Sequence, residues 1–179
     1  MPAKLVILDR DGTINYDSPS YIKSPDEWVP IPGSLEAIAR LARADYRVAV
    51  ATNQAGIERG LFDLETLAAI HRRLQHAVAR LGGRLDDFFV CPHAPEAQCE
   101  CRKPKPGLLF DIARTFNVAL TEVHMVGDTR RDLDAAAAAG ARPVLVRTGY
   151  GEQTLREGNL PAGTRVFDDL AQFSRHIAP

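Results

Sequence analysis

At 179 residues and 45% hydrophobic, the chain is long enough for a single α/β domain, 1-179, that buries its core without disulfides. Its 22 Lys plus Arg nearly balance its 23 Asp plus Glu, which excludes the global basic field that draws a protein onto nucleic acid or anionic membrane. The opening MPAKLVILDRDG holds an apolar run too short to span a bilayer and ending in acids, so it reads as neither signal peptide nor anchor; a cytoplasmic monomer is the default expectation.

Apolar runs of strand length occur at Lys4 to Leu8, Arg47 to Ala51, Asp87 to Val90, Val123 to Val126 and Arg142 to Val146. Helical patterns lie between and around them at Ser34 to Ala42, Leu64 to Leu81, Leu108 to Phe116 and Arg131 to Ala139, the last closed by Gly140. DDLAQFSRHIA near the end suggests a final amphipathic helix. The alternation predicts a Rossmann-like parallel sheet with helices on both faces, whose ligands bind beyond the carboxyl ends of the strands. Asp17 to Pro32, rich in Pro and Ser and without periodicity, is expected to loop over one edge of that site.

The residues that follow each strand therefore come first. Asp9-Arg10-Asp11-Gly12-Thr13 ends the first strand, and two carboxylates that converge at a strand terminus repel unless a cation or a shared proton intervenes. Magnesium answers this, because it takes oxygen ligands and commonly joins carboxylates to a phosphate; an ordinary acidic turn is the plainer alternative. Thr52-Asn53-Gln54 offers hydroxyl and amide donors suited to phosphoryl oxygens, or to capping and turn hydrogen bonds. Lys103, in Arg102-Lys103-Pro104-Lys105-Pro106, is a cation placed to neutralise a transferring phosphoryl group, unless it is only part of a solvated basic turn. Gly127-Asp128 ends the fourth strand, where Asp128 serves either as a further metal acid or as a helix N-cap, and Asp132 and Asp134 favour the positive end of the following helix.

All three cysteines fall in Cys91-Pro92-His93-Ala94-Pro95-Glu96-Ala97-Gln98-Cys99-Glu100-Cys101. The C-x-H-x5-C-x-C spacing supplies four ligands, Cys91, His93, Cys99 and Cys101, for tetrahedral structural zinc with no position open to water. Such an ion would anchor the segment that delivers Arg102 and Lys103. His71 and His76, beside Arg72 and Arg73, read as solvated helix surface, and Gly149-Tyr150-Gly151 reads as a turn after the fifth strand.

In order, Asp9-Arg10-Asp11-Gly12-Thr13, Thr52-Asn53, Lys103 and Gly127-Asp128 resemble the four signature motifs of the haloacid dehalogenase superfamily. The resemblance implies that Asp9 is a nucleophile forming an aspartyl-phosphate and that Asp11 is the acid and base. It further implies that Thr52, Asn53 and Lys103 bind the phosphoryl group, and that Mg2+ is held by Asp9, the Asp11 carbonyl and Asp128. The cysteine loop and Thr52 to Phe62 (TNQAGIERGLF) resemble the heptose bisphosphate phosphatases, with the histidinol-phosphate phosphatases as the related alternative. That likeness implies a cap-poor fold with Zn2+ in the loop and a small phosphorylated sugar as substrate. The reaction implied is removal of the 7-phosphate of D-glycero-D-manno-heptose 1,7-bisphosphate in making lipopolysaccharide core heptose, with Gln54 near the substrate and Arg102 on its distal phosphate. The compact zinc loop, and Thr129 where heptose enzymes often carry lysine, are departures from that pattern. A zinc-stabilised binding protein without turnover is the reading from outside enzymology.

Overall fold

The computed structural model describes residues 4–179. The first three residues of the N-terminal run discussed above lie outside them. Six parallel strands, β1 (Leu5–Leu8), β2 (Arg47–Asn53), β3 (Asp87–Cys91), β4 (His124–Gly127), β5 (Arg142–Val146) and β6 (Arg165–Phe167), form one sheet in the order β3-β2-β1-β4-β5-β6. The helices are α1 (Ser34–Arg43), α2 (Leu64–Ala79), α3 (Gly107–Phe116), α4 (Arg130–Ala139), α5 (Gly151–Glu157) and α6 (Leu170–Ile177).

Period-two alternation along the strands divides the core between the two faces. Val6, Leu8, Val48 and Val50 pack with Ile38 and Leu41 of α1, Ile70 and Leu74 of α2, and Phe173 of α6. Their neighbours Leu5, Ile7, Ala49 and Ala51 pack on the other face with Leu109 and Ile112 of α3 and Ala135 and Ala136 of α4. Because both faces are covered, the strands read as continuous apolar runs, and each fully buried Leu, Ile or Val contributes roughly 1.5–3 kcal/mol. No described helix is long and apolar enough to cross a membrane.

Two elements were not foreseen in the sequence. β6 is a three-residue edge strand, too short to show alternation, and α5 is seven residues of mostly polar sequence. β2 and β3 run further than expected, to Asn53 and Cys91. β2 continues through Thr52 and Asn53, which pair in register with Val90 and Cys91, so these polar residues sit in the sheet's last rungs and the cysteine loop grows directly from β3. Gly140 does close α4, at φ 73°.

The chain turns back at β1. From there β2 and β3 extend the sheet one way and β4, β5 and β6 the other, so the crevice between the ends of β1 and β4 is the topological switch point. Asp9 follows β1 and Asp128 follows β4. The Asp9 amide donates to Val126 O at 2.8 Å, which carries the strand pairing up to the first acid.

Candidate active site

The first carboxylate meets a lysine 94 residues away. Lys103 is 2% exposed, and its Nζ donates to Asp9 Oδ1 at 2.8 Å, to Asp132 Oδ1 at 2.7 Å and to Ala51 O at 2.8 Å, using all three ammonium protons. Burial alone would push the ammonium's pKa down, but Asp132 and Asp9 hold it above its ordinary value. The lysine is locked by its backbone as well. Its amide donates to Asn53 Oδ1 and its carbonyl accepts from Asn53 Nδ2, both at 3.1 Å. Asn53, expected on substrate phosphate, thus commits much of its amide to aligning Lys103.

Asp132 was read only as a favourable charge at a helix start, and the structure corrects this. It is 1% exposed, and its Oδ2 accepts from the Thr129 amide at 3.0 Å and the Thr129 hydroxyl at 2.8 Å while its Oδ1 faces Lys103. Thr129, not Asp128, is therefore the N-cap of α4. Asp134 does stay near the surface, paired with Arg130 at 2.7 Å.

Asp9, Asp128 and Asp132 each offer an oxygen within 4.8 Å of the others. Three carboxylates around one ammonium leave two negative charges uncompensated in a buried place. Burial, together with the charge of Asp132, accordingly pushes the Asp9 carboxyl up to about 7 despite Lys103. Burial and the charges of Asp9 and Asp132 likewise raise Asp128 well above the carboxylate range. Asp128 Oδ2 accepts from the Tyr150 amide at 2.9 Å, whereas Oδ1 is buried with no hydrogen-bond partner. An orphaned carboxylate oxygen beside Asp9, in a cluster short of two positive charges, fits a divalent cation with oxygen preference.

Two glycines make room for the Asp128 carboxylate. A Cβ on Gly12 would lie 2.1 Å from Asp128 Oδ2, and one on Gly149 would lie 2.2 Å from the same oxygen, each at positive φ. Gly149-Tyr150-Gly151 is a turn after β5, as expected, but one that carries a hydrogen bond to Asp128. Sequence reasoning missed that contact, whose only signal was two glycines a few residues after a strand.

Asp11 is held differently. Its Oδ1 accepts from Arg10 Nε and Asn15 Nδ2, both at 2.9 Å, and its Oδ2 from Arg10 Nη2 at 3.2 Å and Gln54 Nε2 at 3.1 Å. Burial works to raise its pKa, but the Arg10 guanidinium and these hydrogen bonds outweigh it and hold Asp11 below the ordinary carboxylate value. Gln54 also donates to Thr52 Oγ1 at 2.9 Å, which leaves the buried Thr52 hydroxyl its own proton to donate.

Above these groups opens a cavity of about 370 Å3 with Asp9, Asp11, Asn53, Gln54 and Lys103 among its lining residues. Asp17 to Ile22 borders it, as expected for the irregular segment. Three arginines, Arg59, Arg102 and Arg131, also line it. Arg102 Nη1 donates to His93 O at 3.1 Å, which ties the pocket to the cysteine loop.

In that loop Cys91, His93, Cys99 and Cys101 present ligand atoms within 4.8 Å of one another. Cys91 Sγ lies 3.6 Å from Cys99 Sγ and 3.6 Å from His93 Nδ1, and Cys101 Sγ lies 3.7 Å from Cys99 Sγ. A tetrahedron with Zn–S bonds of about 2.3 Å separates its sulfurs by about 3.8 Å; two of the three sulfur pairs are near that spacing and Cys91–Cys101, at 2.8 Å, is tighter, so the ligand set is compatible with zinc, which would spread that pair.

His71 contradicts its assignment to solvated surface. It is 7% exposed, stacks on Phe88 at 4.0 Å and 10°, and its Nε2 lies 3.2 Å from Arg10 Nη1. His76 is exposed, as expected.

A model of the HAD-hydrolase-like family matches residues 100–173. The D-glycero-β-D-manno-heptose-1,7-bisphosphate 7-phosphatase of Bordetella bronchiseptica is 56% identical over 174 residues, covering 97% of each chain. The Pseudomonas aeruginosa protein of the same name is 54% identical over 171 residues, covering 96% of each. The crystal structure of D,D-heptose 1,7-bisphosphate phosphatase from B. bronchiseptica, complexed with magnesium and phosphate, superposes with a TM-score of 0.96 and covers 97% of both chains. With motifs, fold and near full-length identity in agreement, the chain belongs to the haloacid dehalogenase superfamily and, within it, to the family of these heptose bisphosphate phosphatases.

Proposed function

We propose that the chain hydrolyses the 7-phosphate of D-glycero-β-D-manno-heptose 1,7-bisphosphate through an aspartyl-phosphate on Asp9, acting as a cytoplasmic, single-domain monomer in the synthesis of lipopolysaccharide core heptose. The observation that carries the reading is the buried convergence of Asp9, Lys103 and Asp128 at the switch point, in a chain 56% identical to phosphatases of that name.

Asp9 is the nucleophile, and Lys103, at 2.8 Å, favours its carboxylate form and offsets charge on the phosphoryl oxygens. As Asp9 bonds to phosphorus, the ester bond breaks and Asp11 passes its proton to the departing sugar oxygen. Water then attacks the aspartyl-phosphate, and Asp11, now ionised, takes the water's proton and is ready for the next cycle. Arg10 and its neighbours hold Asp11 ionised, the form the second step requires. The first step requires Asp11 protonated when substrate is bound, which the negative charge of an arriving phosphate favours. The Thr52 hydroxyl and the second amide proton of Asn53 hold phosphoryl oxygens, while Gln54, whose two amide protons go to Asp11 and Thr52, orients both of those groups beside the substrate. Magnesium, held by Asp9, Asp128 and the Asp11 carbonyl, supplies charge neutralisation between two sets of anionic oxygens.

Arg102 is assigned to the distal phosphate, where a guanidinium fork fits two oxygens, with Arg131 and Arg59 on the same rim. The Cys3His cluster is assigned to structural zinc, which holds the backbone that delivers Arg102 and Lys103. The experiment is phosphate release with magnesium from heptose 1,7-bisphosphate and histidinol phosphate side by side, identifying which ester is cleaved. Selective loss of the 7-phosphate supports the proposal. Preference for histidinol phosphate would move the substrate assignment, and no release from any phosphate ester would leave the zinc-stabilised binding protein.

A further inference from the structure

Arg10 is the largest side chain without exposed surface, and the mechanism above gives it no direct part. A guanidinium has donors only, so each N–H taken from water needs an acceptor inside the protein. Nε and Nη2 find theirs on the two oxygens of Asp11. For Nη1 the acceptor is His71 Nε2 at 3.2 Å. Since Arg10 cannot accept, Nε2 must be the bare nitrogen of a neutral ring whose proton is on Nδ1. The ring is fixed in plane by Phe88 of β3, stacked at 4.0 Å, while its own backbone belongs to α2. Burial, then the neighbouring guanidinium, depress the imidazole pKa to about 3, consistent with a permanent acceptor.

Three elements thus meet to hold one fork. We propose that His71 is a positioning residue for the hydrolysis: as the neutral acceptor of Arg10 Nη1 it fixes the guanidinium that binds both oxygens of Asp11, and so sets where that carboxyl stands beside the reacting ester and water. The inference rests on the acid–base role proposed for Asp11. It predicts an asymmetry between substrates, because a sugar alkoxide needs a proton to leave and a nitrophenolate does not.

The test compares wild type with His71→Leu, His71→Gln and His71→Asn, reading kcat/KM for heptose 1,7-bisphosphate and for p-nitrophenyl phosphate. Gln places an amide oxygen near the position of Nε2, whereas Asn and Leu do not. The expected result is a loss of about tenfold or more on the sugar ester for Leu and Asn, a change within about threefold on the aryl ester, and recovery of most of the loss in Gln. Equal losses on both esters, or Gln as impaired as Asn, would overturn the proposal. Should His71→Leu fail to fold, the contrast between Gln and Asn decides. Absence of wild-type turnover on the bisphosphate is a failure of the substrate assignment alone, and the same ratio is then read with an alkyl phosphate that the wild-type protein does cleave.

Discussion

Lys103 Nζ lies 2.7 Å from Asp132 Oδ1, with both side chains almost wholly buried. This pair makes Lys103 a bridge between two carboxylates, Asp9 on one side and Asp132 on the other. Asp132→Ala leaves Lys103 paired with Asp9 but removes one of its three acceptors and the capping box of α4. It should therefore lower stability by about 2 kcal/mol and, by loosening the bearing of Lys103 on Asp9, cut kcat at least about tenfold. Chemical denaturation and steady-state kinetics of the same preparation check both.

Asp9→Asn is nearly isosteric and removes one of the crowded charges, but its amide is a poor nucleophile. Turnover should vanish while the magnesium-free melting temperature stays within a few degrees of wild type. Wild-type protein should gain stability on adding magnesium, by about 2.7 kcal/mol at a concentration one hundred times Kd, and Asp128→Asn should lose most of that gain. Thermal melts with and without the ion read this separately from activity.

Gly149→Ala tests the tight wall behind Asp128. The new methyl would fall 2.2 Å from Asp128 Oδ2 and 2.6 Å from Gly12 Cα, at a φ of 57° that disfavours a side chain. The expected outcome is a weakened magnesium dependence, seen as a higher ion concentration for half-maximal turnover. Gly163→Ala, at φ 79° but with nothing within 4 Å, is the control that carries backbone strain without the clash.

Cys99→Ser should lower zinc content and melting temperature together, because a structural site's binding energy is also folding energy. Kinetics would register the loss as a raised KM and a reduced kcat, since Arg102 and Lys103 both follow the loop. Metal analysis alongside calorimetry separates this from damage to the magnesium site.

A buried neutral histidine also gives stability a pH dependence. The folded pKa of His71, about 3, lies below its unfolded value of 6.5, so between these limits the unfolded chain binds more protons. The contribution is present above 6.5 and is lost as pH falls toward 3. Urea unfolding from pH 7 to 4 should show a shallower decline in His71→Gln than in wild type.

Much of this site is legible along the chain. Asp9, Asp11, Thr52, Lys103 and Asp128 stand at the ends of runs or before a helix, and a parallel sheet leaves those ends on one edge. The cysteine loop is legible because its four ligands fall within eleven consecutive residues. Asp132 and His71 were not, since each sits in a helix where polar residues are ordinarily explained by solvent or by the helix start.

What the sequence determined by itself was the inventory and its order: alternating apolar runs, acids after the first and fourth strands, a lysine before a helix and a compact zinc-type spacing. These are local patterns, set by periodicity and by ligand chemistry over a few residues. Only the tertiary structure decided that Lys103 joins Asp9 to Asp132, that Asn53 clamps the lysine backbone, that Gly12 and Gly149 clear space around Asp128, and that His71 gives Arg10 Nη1 an acceptor. Those contacts span from 21 to 116 residues of chain and exist because charges and donors removed from water must find partners wherever the fold brings them.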